Sequence, residues 1–165
     1  MEATMESGTI GDEVLRKEDR KFLLGKGRDV DDIRVPGELH AVFVRSPHAH
    51  AELGDIDTAD AENMPGVTAV LTGADMKADG VGTIPFMWTM SNADGTPMAQ
   101  PPRWGLARDR VRHVGEAVAI VIADSAAQAQ DAADSIGIDY VPLEAVTGAK
   151  EALADGAPQL HDKAP

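Results

Sequence analysis

Ala117–Ala123 is an unbroken apolar run of seven residues, and four of them (Val118, Ile120, Val121 and Ile122) are β-branched. Branching at Cβ favours a strand over a helix, and a strand without a polar face is expected at the centre of a sheet, covered on both faces. Asp124 or Ser125 then supplies an N-cap. Ala126, Ala127, Ala129, Ala132, Ala133 and Ile136 follow at helical spacing, with alanines that permit close approach to a sheet. Gly137 stops that helix, and Ile138–Val141 reads as a strand ended by Pro142. Strand, helix, strand at this spacing resembles a βαβ unit or a split version of one. With 165 residues but only 4% aromatic content, the core of such a domain has to be built from Val, Ile, Leu and Ala.

Upstream, residues 1–13 read as a polar leader, and Lys17–Leu24 as a helical turn stopped by Gly25-Lys26-Gly27. Glu38–Arg45 is expected as a substantially buried strand, with Leu39, Ala41 and Phe43 alternating with His40, Val42 and Val44 and Pro47 closing it. Glu52–Ile56 makes a short strand, Asp57 or Thr58 caps a short helix to Met64, and Val67–Leu71 is a further strand. Thr72 and Asp75 suggest one more helical turn. Residues 77–105 carry no sustained period, and their glycines and prolines mark a variable loop, a length that tends to be functional or interface-forming. Trp88, Trp104, Met87, Met90 and Met98 lie in that loop and need something to bury them.

Several classes of function fall away on composition. A net charge of -13 lacks the basic footprint of a nucleic-acid partner. The absence of cysteine removes disulfides, thiolate zinc sites, iron–sulfur clusters and a thiol nucleophile from this chain. No apolar run approaches the roughly 20 residues that span a bilayer, and the start does not read as a signal peptide. A cytoplasmic location without a membrane partner is the expectation.

The polar constellations offer little catalytic chemistry. His48, His50 and Glu52 would share a face of a continued strand and could ligate zinc or copper, but Pro47 argues for a turn in which they are structural. Gly25-Lys26-Gly27 lacks the third glycine and preceding strand of a dinucleotide site, and Asp29, Asp31 and Asp32 would repel a pyrophosphate. The same aspartates lack the glycine and bidentate glutamate of a calcium loop. Ser46 sits near His48 with no nucleophile elbow around it. Arg112, His113 and Glu116 flank Gly115, which is expected to allow a turn or bulge with close backbone approach.

Two stretches carry a family likeness. Arg45-Ser46-Pro47-His48-Ala49-His50-Ala51 closes the first strand, and Val111-Arg112-His113-Val114-Gly115-Glu116-Ala117-Val118-Ala119 leads into the apolar run. Leu23–Arg28, Val30–Ile33, Pro65-Gly66-Val67, Val70–Asp75 and Asp139–Leu143 add to the pattern in order and spacing. Together these resemble the N-terminal a/b hammerhead domain of the large subunit of molybdenum hydroxylases, the family of xanthine dehydrogenase, aldehyde oxidase and aerobic carbon monoxide dehydrogenase. Asp29 stands where such domains usually have an aromatic residue, and Ala117 where proline is usual.

The resemblance implies an α+β fold, a mixed β-sheet with short helices and a βαβ-like C-terminal half, occupying residues 14–165 as a single domain. It implies a non-catalytic structural domain of an oxidoreductase, with no cofactor-binding, metal or catalytic residue of its own. The molybdopterin cofactor and catalytic glutamate would belong to the remainder of the large subunit, and the FeS and flavin (FAD) groups to partner domains or subunits. The chain would then be an isolated piece whose partners are that remainder and the FeS and flavin subunits. The alternative is a free-standing interaction module without catalytic activity. Either way Arg45, His48, His50, Trp88, Trp104, Gly115 and Glu116 are the candidate interface residues.

Overall fold

The computed structural model describes residues 16–162. They fall into two compact units divided between Glu38 and Leu39; the expected leader at 1–13 lies outside the described residues. The first unit holds α1 (Asp19–Leu23) and a 3-10 turn at Val30–Asp32. The N–H groups of Leu24, Gly25 and Lys26 fold back onto the carbonyls of Arg20, Phe22 and Lys21, which terminates α1. The Asp29 N–H donates to the Asp32 carboxylate at 2.9 Å, so the aspartate triplet is a locally bonded turn.

The second unit contains β1 (His40–Arg45), β2 (Ala51–Asp57), α2 (Ala59–Glu62), β3 (Val67–Thr72), α3 (Gly73–Ala78), β4 (Arg110–Val111), β5 (Ala117–Ala123), α4 (Ala126–Ser135), β6 (Gly137–Pro142) and α5 (Ala149–Ala152). Two three-stranded sheets result, ordered β1-β5-β3 and β4-β2-β6. The α+β class and the short helices are as expected, with two corrections. The expected single mixed sheet is two sheets, and every pairing between the strands is antiparallel. The expected βαβ unit is absent, because β5 and β6 lie in different sheets. Both edges of β5 are taken by β1 and β3, so β6 cannot join it and pairs with β2 instead. The alternation in β6, with Ile138 and Tyr140 inward and Asp139 and Val141 outward, is that of a strand covered on one face.

The core has two parts. On the first sheet Val121 and Ala123 of β5 pack with Ala129, Ala132 and Ala133 of α4 and with Ala61 of α2, flanked by Val42, Val44, Val67 and Val70. Alanine on the helix brings its backbone close to the valines, so small side chains still fill the space. Ser125 caps α4 by accepting from the Gln128 N–H at 3.3 Å. The expected cover on both faces of β5 is partial: Val118 and Ala119 are fully buried, whereas Ile120 and Ile122 are only half-buried. Likewise β1 buries one face, Val42 and Val44, and leaves Ala41 and Phe43 exposed. The second cluster joins Val118 to Ala51 of β2, Val111 of β4 and Ala107, where the sheets meet.

Residues 77–105 are more ordered than a structureless loop. Ser91 and Pro97 form a β-bridge, and Asp94 accepts from the Thr96 N–H and hydroxyl at 2.9 and 2.7 Å, making a small hairpin. At its base, the chain returns so closely that a Cβ on Gly73 would lie 2.1 Å from the Ala107 carbonyl oxygen.

Truncation of the central valine tests this account of the core. Val121→Ala should cost about 2 kcal/mol through lost burial and a residual cavity. Ser125→Ala should cost about 1 kcal/mol through a lost cap. Urea unfolding should show both as lower midpoints at unchanged m-value.

Candidate interface site

The strand β1 ends in a sharp turn, and the residues that close it line a polar cleft of the second unit. The Ser46 N–H donates to the Glu116 carbonyl at 2.9 Å and the Gly115 N–H donates to the Ser46 carbonyl at 2.8 Å. The pairing slips by one residue between Val44 and Arg45, a bulge beside Gly115. Gly115 itself has φ +86°, a conformation that side chains other than glycine rarely adopt. Arg45 donates from Nη1 to the Gly115 carbonyl at 2.8 Å, and its guanidinium lies 5.4 Å from the centre of the Phe43 ring.

The resulting cleft, about 290 Å³, is lined by Arg45, Arg103, Trp104, Arg112, Glu116 and His161 among others. Glu116 is tied down: its carboxylate accepts from the Arg112 backbone N–H and lies 3.6 Å from His113 Nδ1. Arg112 reaches across to donate to the carbonyls of Leu160 and Arg110 at 2.8 and 3.0 Å. Burial, and then the Arg112 charge, push the His161 imidazole below its ordinary value. Arg45, Arg103 and Arg112 line this cleft with the single carboxylate of Glu116, so its lining is more cationic than anionic.

The structure brings Arg45, Trp104, Gly115 and Glu116 together in this cleft. It places the other three candidates elsewhere. His48 packs its ring against Tyr140 with centroids 4.8 Å apart. His50 is 5% exposed and donates from Nδ1 to the Glu144 carbonyl at 2.7 Å, while its buried Nε2 has no hydrogen-bond partner. Trp88 stands 81% exposed near the loop hairpin. The His48–His50–Glu52 ligand set is therefore not assembled, and no cluster of three metal-ligating side chains occurs among the described residues. Ser46 is buried, and its hydroxyl bridges the His48 carbonyl and N–H within the turn, so it is no nucleophile. Burial raises the Tyr140 phenol, opposed by the Ser46 hydroxyl.

Sequence reasoning did not select Arg103, Arg108 or His161. Arg108 lies 3.4 Å from the centre of the Trp104 ring and donates to the Val81 carbonyl at 2.9 Å. These residues lie in irregular backbone, where a separation of four positions does not by itself bring side chains together, so the pair had no local signal. His161 arrives from a distant segment, and nothing local announces it.

The family profile described as "Aldehyde oxidase and xanthine dehydrogenase, a/b hammerhead domain" matches residues 24–144. The chain belongs to this hammerhead family. The nicotine 6-hydroxylase large subunit of Paenarthrobacter nicotinovorans is 42% identical to it over 147 residues, 89% of this chain and 17% of that protein. The carbon monoxide dehydrogenase large chain of Afipia carboxidovorans is 37% identical, again over 89% of this chain and 17% of its own length. Among solved structures, quinoline 2-oxidoreductase from Pseudomonas putida 86 superposes with a TM-score of 0.78 at 39% identity, covering 92% of this chain and 18% of that one. The hammerhead chain thus corresponds to a small part of large subunits of oxidoreductases.

Two measurements probe the cleft. A Cβ on Gly115 would meet nothing within 4 Å, so Gly115→Ala should cost about 1–2 kcal/mol from backbone conformation alone, read by thermal or urea unfolding. His161 should titrate by NMR below the ordinary 6.5, and Arg112→Gln should move its midpoint part-way back up. A lowered histidine value means the unfolded chain binds the proton more readily. This group's contribution to stability is therefore present above pH 6.5 and is lost as pH falls through the lowered value.

Proposed function

We propose that this chain is the N-terminal structural domain of a molybdenum hydroxylase large subunit of the carbon monoxide or xanthine dehydrogenase type. The observation that carries the reading is the coverage: 89% of this chain aligns to only 17% of a hydroxylase large subunit at 42% identity. In this reading residues 14–165 form the hammerhead domain behind a leader at 1–13, and the complete protein works in the cytoplasm. No helix among the described residues is long and apolar enough to cross a membrane.

The residues present do not fit the cofactors of such enzymes. The chain has no cysteine for an iron–sulfur cluster, and among the described residues no three histidine or carboxylate side chains gather as metal ligands. The molybdopterin cofactor is assigned to the remainder of the large subunit, with FeS and flavin groups in partner domains or subunits. What this domain supplies is surface. Arg45, Trp104, Gly115 and Glu116 form the cleft already described, and the exposed Trp88 joins them in the proposed interface set, whereas His50 is buried and His48 packs on Tyr140, so those two hold the turn behind it.

Mixing the purified chain with the separately produced remainder of its large subunit and partner subunits tests the reading. A stoichiometric complex that gains oxidation of the subunit's substrate is the expected result, with no turnover of purines, aldehydes or carbon monoxide by the chain alone. A folded, monomeric chain that forms no complex would instead favour a free-standing interaction module.

A further inference from the structure

The face of the first sheet opposite α4 is apolar from edge to edge. The register aligns Phe43 of β1 with Ile120 of β5 and Leu71 of β3, and Ala41 with Ile122 and Ala69. Phe43 is 44% exposed, and Leu39, just before β1, is 48% exposed. Ile120, Ile122, Ala69 and Leu71 are half-buried. Isolated apolar residues on a surface need no explanation, but a contiguous row across three strands marks a contact. At one end of this face the Arg45 guanidinium sits over the Phe43 ring and opens into the cleft with Arg103 and Arg112.

We propose that this sheet face is the joint against the remainder of the same large-subunit polypeptide, which presents an apolar element ending in an acidic side chain that enters the Arg45 cleft. The proposal rests on the functional reading above and specifies where the contact lies. Three observations select this occupant. Three strands spaced about 4.8 Å apart offer only a few hundred Å², far below the roughly 800 Å² per partner of a free association. A covalently linked neighbour is held at high effective concentration and needs less. A second copy of this chain would bring another net charge of -13 to the contact, which opposes self-pairing. The cationic cleft, in a chain so acidic overall, complements an acidic group.

Thiol labelling followed by peptide mass spectrometry reads the face directly, since the chain has no cysteine of its own. Phe43→Cys, and Ala127→Cys on the exposed flank of α4, are each made in the 165-residue chain and in the continuous large subunit that contains it. The Phe43→Cys thiol should label at least about tenfold more slowly in the continuous subunit, with the Ala127→Cys thiol unchanged. Adding Arg45→Glu in the continuous subunit should restore much of the Phe43→Cys labelling. Equal Phe43→Cys labelling in both forms overturns the proposal, whether or not the separated pieces reassociate. Slow labelling in the short chain also overturns it: concentration dependence would name a second copy as occupant, and its absence a segment of the chain itself. Labelling indifferent to Arg45→Glu would remove the acidic contact.

Discussion

Burial of β5 under α4 organises the second unit. The strand is hydrogen-bonded on both edges, to β1 and β3, and Val121 and Ala123 meet Ala129, Ala132 and Ala133 of the helix. Alanines make this possible because their small volume lets the helix approach the sheet without leaving gaps. Once both edges of β5 are occupied, the chain leaving α4 has no place in that sheet. The free edge of β2 takes it, and the second sheet follows. Val118, at the other end of the same strand, then packs against Ala51 and Val111, so one strand serves both clusters.

The turn at Gly115 is the second constraint. It lets the chain enter β5 while its backbone bonds to Ser46 and its carbonyl accepts from Arg45. Side chains from β1, from the end of the long loop and from the C-terminal segment converge there. Their chemistry is that of recognition: guanidiniums held by carbonyls, an aromatic ring under Arg108, and a glutamate already engaged. The chain spans 17% of the length of the nicotine 6-hydroxylase large subunit that it matches.

Much of the fold was legible from local pattern. Each strand and helix expected between Glu38 and Pro142 is present near its expected bounds, because glycine and proline punctuate them and Thr72 and Ser125 supply real caps. The Thr72 and Asp75 pair forms a full capping box, with Asp75 held below its ordinary value by the Thr72 hydroxyl and N–H. Of the site, Arg45, Gly115 and Glu116 could be found because they flank strand ends. His48 and His50 were chosen by spacing, and the structure shows them as turn-stabilising groups facing Tyr140 and Glu144.

Periodicity, capping and composition by themselves determined the elements, the aliphatic core and the absence of cysteine chemistry, because those depend on residues a few positions apart. Tertiary structure decided which edges pair, that β6 joins β2 rather than β5, and that one face of the first sheet stays apolar and open. It also decided the cleft, where Arg45, Trp104, Arg112 and His161 meet from segments far apart in the chain. Pairing and convergence are settled by competition among edges and faces for partners, and no local window of sequence records the outcome of that competition.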